Sequence, residues 1–178
     1  MRNYLFIRAL LFVSTLTSSI SHADSLSYSL DYIKGEGDVD GLKIAIQYHT
    51  KYLEEYHENL HLYFESSINF WEYGLDDNYD TNFVLSLSPV FQYQISCLLG
   101  NKVYVEAGIG MSFLDDTLFA GKNVSTHYQF EDRLGILIKF GEAEKQQVSL
   151  RYFHYSNGGV KKPNPGLDFI AFSYMRYF

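Results

Sequence analysis

A strict alternation between apolar and polar residues is the feature of this sequence that most constrains its fold. Between Val103 and Phe113, every odd-numbered residue is apolar and every even-numbered residue is polar or small. Successive side chains of a β-strand point to opposite faces, so this period of two predicts a strand with one apolar and one polar face. Comparable alternation recurs along the chain and gives eight predicted strands: 26–35, 40–49, 60–73, 81–94, 101–114, 125–140, 145–157 and 166–178.

Eight strands of this length predict an all-β fold, an eight-stranded antiparallel transmembrane β-barrel of the bacterial outer membrane. Each segment reaches the ~9–11 residues that a tilted strand needs to cross a bilayer, and such barrels usually have an even number of strands. The 16 Tyr and 14 Phe residues suit the aromatic girdles of a membrane barrel, and the chain ends on an aromatic residue, Phe178.

The alternative architecture is a soluble eight-stranded barrel with a ligand cavity, in which the apolar face would point inward. The polar face argues against it, because its charges of both signs suit a narrow lumen filled by ion pairs: Lys43, Glu65, Glu106, Lys139 and Arg151. In a membrane barrel the amino terminus lies on the periplasmic side. The predicted extracellular loops are therefore 36–39, 74–80, 115–124 and 158–165.

Residues 1–23 have the pattern of a secretory signal peptide. Arg2 and Arg8 accompany a short apolar stretch, and small residues lead to a predicted cleavage after Ala23. The predicted mature domain is then 24–178, and removing the two arginines changes the formal net charge from −7 to −9. An acidic chain without basic runs argues against a nucleic-acid partner. Cys97 is the single cysteine, so no internal disulfide is expected.

The last 28 residues bring together the three residue types of a serine hydrolase triad, His154, Ser156 and Asp168. His154 and Ser156 continue the even-numbered, lipid-facing side of their predicted strand, and Asp168 lies on the outward side of the next strand. If the turn between the strands centres near Lys161, His154 lies opposite Asp168 with Cβ atoms ~5 Å apart. The pattern predicts a triad outside the barrel at its extracellular rim; the alternative is a set of ordinary rim residues beside a turn.

This segment resembles a motif of the lipid A 3-O-deacylase family, the PagL-like acyloxyacyl hydrolases. The resemblance rests on His-Tyr-Ser-Asn-x-Gly at 154–159, on Lys-x-Pro-Asn-x-Gly at 161–166 and on an acidic residue two places after Gly166. The family has Glu at this last position, where this chain has Asp168, which is one methylene shorter. The rest of the chain resembles the family in size, signal peptide and architecture.

The resemblance implies an outer-membrane enzyme, an esterase that removes the 3-O-linked acyl chain from lipid A of the lipopolysaccharide in the outer leaflet. It implies Ser156 as the nucleophile, His154 as the general base and Asp168 as the group that orients the imidazole. Asn157 and the backbone amide of Gly159 would stabilise the oxyanion. This chemistry requires no cofactor and no metal ion, and the oligomeric state stays open, a homodimer included.

Two other functions remain open at this point. The first is a non-catalytic outer-membrane barrel with a structural or adhesive role, in which the motif forms only a turn. The second is a phospholipase or an acyltransferase that uses the same triad on another lipid.

Overall fold

The computed structural model describes residues 25–74 and 80–178, so the predicted signal peptide at 1–23 lies outside the described residues. No helix in these two ranges is long and apolar enough to cross a membrane. A short 3-10 turn covers Glu142–Glu144, and the remaining regular structure consists of strands: β1 Ser25–Gly35, β2 Val39–Thr50, β3 Leu60–Tyr73, β4 Asp80–Leu98, β5 Asn101–Leu114, β6 Leu118–Phe119, β7 Lys122–Asn123, β8 Tyr128–Phe140, β9 Gln146–Ser156 and β10 Leu167–Tyr177.

Eight of these strands close into one antiparallel barrel in the order β1-β10-β9-β8-β5-β4-β3-β2. The predicted eight-stranded antiparallel barrel is confirmed. Closure gives every strand a partner on both edges, so the backbone groups are paired where a bilayer offers no water. The strand β4 continues to Leu98, past the predicted end at 94, and a bulge between Gln94 and Ser96 shifts the register of this extension against β5.

The two faces of the strands point as the alternation predicts. On β5, Val105, Ile109 and Phe113 are exposed, whereas Glu106 between them is buried. An apolar exterior is the arrangement of a barrel that faces lipid, whereas a soluble barrel would bury that face. The direction of the faces therefore excludes the soluble architecture.

Ion pairs fill the lumen, and several of them join strands that are not neighbours in the barrel. Arg133 on β8 contacts Glu65 at 2.5 Å and Glu131 at 2.9 Å. Arg151 on β9 donates to Glu106 at 2.6 Å and to Asp31 at 3.0 Å. Buried ions are tolerated only when they are paired and hydrogen-bonded, and these contacts meet that condition. The contacts outside β8 itself join β8 to β3, and β9 to β1 and β5.

The connections 36–38, 115–127 and 157–166 lie at one end of the barrel, which we call the loop rim. An aromatic cluster fills the inside of this rim. The ring centroid of Trp71 lies 4.5 Å from that of Phe169 and 4.9 Å from that of Tyr155. Tyr155 and Phe169 directly follow His154 and Asp168 in the chain, so the cluster supports the inner sides of the two strands that carry the predicted triad.

Candidate active site

The three predicted triad residues lie together on the outer wall of the barrel, at the loop rim. His154 and Ser156 are on β9 and Asp168 is on β10, and all three are partly exposed between inward-facing neighbours. The pairing of β9 with β10 places His154 directly opposite Asp168, as the turn centred on Lys161 predicted. A shift of this register by one residue would turn every side chain of one strand to the other face, so the apolar pattern and the turn together fix the pairing.

Asp168 reaches the imidazole despite its shorter side chain. Nδ1 of His154 lies 2.7 Å from Oδ1 of Asp168. The hydroxyl of Tyr152, the outward-facing residue of β9 that precedes His154, donates to the same oxygen at 2.5 Å. With Nδ1–H donating to the carboxylate, Nε2 is left as the acceptor for a proton from a nucleophile, which is the tautomer that a serine hydrolase requires.

Gly166 allows the chain to pass over the histidine ring. A Cβ built at this position would lie 2.5 Å from Cε1 of His154 and 3.3 Å from Nε2. The residue has a φ of +71°, in the left-handed region that glycine adopts without steric cost. The chain turns here from the loop into β10, so the glycine both makes the turn and packs on the imidazole.

Ser156 lies two residues after His154 on the same face, and Phe130 of β8 is its cross-strand neighbour. Within the described part of the chain, its hydroxyl makes no hydrogen bond. Hydrogen bonds between a nucleophile and its base are often long in a free enzyme and shorten when the substrate binds. Side chains two apart on a strand share one face, so the hydroxyl of Ser156 lies on the same side of the wall as the imidazole.

Asn157 organises the loop that follows Ser156. Its Nδ2 donates to the carbonyl oxygens of Val124 at 3.0 Å and Lys161 at 2.9 Å. Its Oδ1 accepts the backbone N–H of Gly159 at 2.9 Å. The family resemblance implies the Asn157 side chain and the Gly159 backbone amide as oxyanion donors. Both donate to protein oxygens in this structure, and the acceptor of the Gly159 N–H is the Asn157 side chain itself.

Three hydrogen bonds join the 157–166 loop to the 115–127 loop. Besides the bond from Asn157 to Val124, the hydroxyl of Ser125 donates to the carbonyl of Pro163 at 2.7 Å, and the ammonium of Lys122 donates to the carbonyl of Gly166 at 3.2 Å. The longer loop contains the β6–β7 hairpin, and it contributes no triad residue. It holds the loop that separates Ser156 from Asp168.

A groove of about 590 Å³ lies on the outer wall beside the triad. Tyr152 and Asp132 form the end of the groove nearest His154, and the remaining lining is mostly apolar: Pro89, Phe91, Ala107, Ile109 and Leu134. Residues 25–74 and 80–178 contain no group of three or more His, Cys, Asp or Glu side chains arranged to hold a metal ion. The arrangement therefore offers a polar site with a histidine base at one end of an apolar groove.

The sequence pattern did not identify Tyr152, Asp132 or Gly166 as part of this site. Tyr152 looks like any aromatic residue of a girdle, and Gly166 like any turn glycine. Asp132 could have been singled out from the sequence, because it is the one charged residue on the otherwise apolar, even-numbered face of its strand. The hairpin between β8 and β9 then places it opposite His154.

Comparisons with known proteins found a family model, two relatives and a solved structure that the chain resembles. The family model of lipid A 3-O-deacylase (PagL) matches residues 40–176. The chain is 37% identical over 99 residues to the lipid A deacylase PagL of Bordetella bronchiseptica, a match that covers 52% of this chain and 54% of that protein. It is 35% identical over 114 residues to the lipid A deacylase PagL of Pseudomonas aeruginosa, with 63% of this chain and 62% of that protein covered.

The chain thus spans less than two thirds of the length of these two relatives. The fold is also similar to the crystal structure of the outer membrane enzyme PagL, with a TM-score of 0.67 and 27% sequence identity. That match covers 86% of this chain and 99% of the solved chain. The likeness therefore extends over the whole of the solved barrel.

Proposed function

Since this chain belongs to the lipid A 3-O-deacylase (PagL) family, we propose that it hydrolyses the ester that joins an acyl chain to position 3 of the lipid A glucosamine disaccharide. The observation that carries the proposal is the His154–Asp168 pair, at 2.7 Å, beside Ser156 on the lipid-facing wall. The barrel lies in the bacterial outer membrane. A lipid of the outer leaflet would reach this wall by lateral diffusion, without leaving the membrane.

Ser156 is the nucleophile in the proposed mechanism. Nε2 of His154 takes the hydroxyl proton while Oγ attacks the ester carbonyl carbon. The tetrahedral intermediate collapses, the carbon–oxygen bond to the sugar breaks, and the imidazolium gives its proton to the sugar oxygen. Water activated by the same imidazole then attacks the acyl-enzyme and releases the fatty acid with Ser156 restored.

Asp168 orients the imidazole and stabilises it while it is charged. Tyr152 donates to the same carboxylate oxygen, so that oxygen is fixed from two sides. The Tyr152 hydroxyl limits the rotation of the Asp168 side chain. It thereby holds the shorter carboxylate against His154, where the family's Glu has an additional methylene. The proposal therefore assigns Tyr152 as a positioning residue for the acid.

The oxyanion of the tetrahedral intermediate needs hydrogen-bond donors, each worth ~3–4 kcal/mol in well-studied enzymes. We assign this role to Asn157 and the backbone amide of Gly159, as the family resemblance implies. The Gly159 N–H donates at present to the Asn157 side chain, at 2.9 Å. The assignment thus requires a change of acceptor when the substrate arrives, and a rotation of the Asn157 amide would release both donors together.

Mass spectrometry of lipid A from Gram-negative cells that express this chain tests the proposal. We expect the loss of one hydroxyacyl mass with the unaltered chain and no loss with Ser156→Ala. Ser96→Ala is the matched control, because Ser96 is exposed on β4 outside the site. It should deacylate lipid A as the unaltered chain does.

Two outcomes would favour the other functions. Unchanged lipid A from a folded, membrane-inserted barrel would favour a structural or adhesive role. Cleavage or transfer of an acyl chain on a phospholipid, with lipid A intact and Ser156 still required, would favour a phospholipase or an acyltransferase.

A further inference from the structure

Lys139 is a lumenal cation that no carboxylate of the described residues contacts. It faces inward on β8 and is only 7% exposed. The buried cations Lys43, Arg133 and Arg151 each contact a carboxylate, which for Lys43 is Glu65 at 3.0 Å. A buried charge is stable only when it has a counter-charge and hydrogen-bond partners. The position of Lys139 therefore attracts an anion.

Lys139 lies at the end of the barrel opposite to the loop rim, which we call the turn end and which carries the connections 51–59 and 141–145. In the predicted orientation this end faces the periplasm. The ammonium lies 4.3 Å from the centroid of the Tyr104 ring, and the ring of His61 lies 5.4 Å from the same ring. A ring face attracts a cation, but it leaves the N–H donors of Lys139 without a charged acceptor.

The carboxylates near the turn end are paired with other groups. Glu54 lies 2.8 Å from Nδ1 of His61, and Glu144 lies 3.1 Å from the ammonium of Lys102. Both contacts hold these carboxylates near the outside of the barrel end, where Glu54 and Glu144 are partly exposed. The protein thus supplies cations to this part of the lumen and keeps its carboxylates on other partners.

A cavity of about 70 Å³ at the turn end has Lys139 in its lining. A water molecule takes ~30 Å³ in the liquid, so the cavity has room for one small ion. Lys51 and the hydroxyl groups of Ser25 and Thr50 also line it. Oγ1 of Thr50 accepts the backbone N–H of Tyr52 at 3.1 Å, which leaves its own O–H to donate. The lining therefore offers donors from several sides.

We propose that this cavity binds a small oxyanion of the phosphate class, with Lys139 as the buried cation and with Lys51 and the Thr50 hydroxyl as further donors. A tetrahedral oxyanion accepts hydrogen bonds on every side, which suits donors on different strands. Lys139 faces the lumen, where the headgroups of the surrounding bilayer do not reach, so the ligand is a soluble ion. The inference is independent of the proposed deacylase activity, because the triad lies at the other end of the barrel.

A titration of inorganic phosphate followed by phosphorus NMR tests this proposal. The purified barrel in detergent receives phosphate at an ionic strength kept constant with sodium chloride, and the width of the phosphate resonance reports the bound fraction. Lys139→Met removes the charge and keeps an unbranched side chain. Lys102→Met is the matched control, because Lys102 is an exposed lysine at the same end and outside the cavity lining.

We expect saturable binding of phosphate by the unaltered barrel and binding about ten- to a hundredfold weaker by Lys139→Met, the range of one hydrogen bond to a charged group. Lys102→Met should bind phosphate as the unaltered barrel does. Lys51→Met removes an exposed cation of the lining and should weaken binding by less than about fivefold, because exposed ion pairs contribute little.

Urea titration in phosphate-free buffer supplies a second measurement. Replacing an unpaired buried charge by an apolar side chain of similar size is neutral or stabilising. Lys139→Met should therefore unfold at the same urea concentration as the unaltered barrel or at a higher one. Millimolar phosphate should then raise the midpoint of the unaltered barrel and leave that of Lys139→Met unchanged.

Three results would overturn the inference. The first is the absence of saturable phosphate binding by the unaltered barrel. The second is an equal affinity in Lys139→Met and Lys102→Met, which would mean a general attraction to exposed lysines. The third is a lower urea midpoint for Lys139→Met in phosphate-free buffer, which would mean that Lys139 has a stabilising partner within the protein. All three leave the proposed hydrolysis of lipid A standing.

Discussion

Gly166→Ala should lower the proposed deacylase activity about a hundredfold while leaving the barrel folded. The added Cβ would lie 2.5 Å from Cε1 of His154, whereas ordinary contacts begin at 3.4 Å. The added Cβ fits only if the imidazole moves by about 1 Å or if the backbone of the turn into β10 shifts. A side chain moves more easily than backbone, so we expect the imidazole to move. A displacement of this size at a catalytic group can cost about a hundredfold in rate. We expect kcat to fall by about that factor.

The effect of the contact on activity must be separated from the effect of backbone strain. Gly121→Ala is the control for this. Gly121 has a φ of +72°, nearly equal to the +71° of Gly166, but a Cβ there would meet no atom within 4 Å. Both alanine variants bear the same left-handed strain of ~1–2 kcal/mol. Only Gly166→Ala also disturbs His154. The two variants should thus lose similar stability and differ in activity.

The assay measures the fatty acid released from lipid A by the purified barrel in detergent at saturating substrate. Folding is checked for each variant by its migration in unheated detergent gels. If Gly166→Ala retains activity within threefold of Gly121→Ala, the packing of Gly166 on the imidazole has no catalytic importance.

Two further changes test the acid and the lumen. Asp168→Asn should lower kcat about 30- to 150-fold at saturating substrate. The reason is that the Asp168 carboxylate, which is 30% exposed, stabilises the neighbouring imidazolium by about 2–3 kcal/mol. A loss below threefold would remove the residue from the mechanism. Arg151→Ala should lower the free energy of unfolding by about 3–5 kcal/mol, since it leaves two buried carboxylates unpaired. Lys102→Ala breaks the exposed ion pair with Glu144 and should lower the free energy of unfolding by less than about 1 kcal/mol. Urea titration of both variants measures these values, and equal losses of stability would contradict a structural role for the ion pairs of the lumen.

The strands, their faces and the pairing of His154 with Asp168 could all be predicted from local sequence patterns. The alternation of Val103–Phe113 holds in β5 with the predicted faces, because the period of side chains along a strand is a local property. The opposition of His154 and Asp168 was also predictable. They belong to one hairpin, and a hairpin's register follows from its turn.

The predicted lumenal charges show where local reasoning ends. The alternation predicted that Glu106 and Arg151 face inward, and they are buried. Their contact joins residues 45 apart in the chain, and the contact of Arg151 with Asp31 joins residues 120 apart. Such pairs depend on the closure of the barrel and on the stagger of its strands, for which the alternation carries no information.

The remaining parts of the site depend on contacts between segments that are distant in the chain. Asn157 bonds to Val124 of another loop, and Gly166 packs on His154, because irregular loops fold against each other without a period that a sequence could reveal. The groove forms where three neighbouring strands place Ala107 between larger side chains. A sequence fixes which side of a strand each residue faces, whereas the shape of the surface depends on which strands lie side by side.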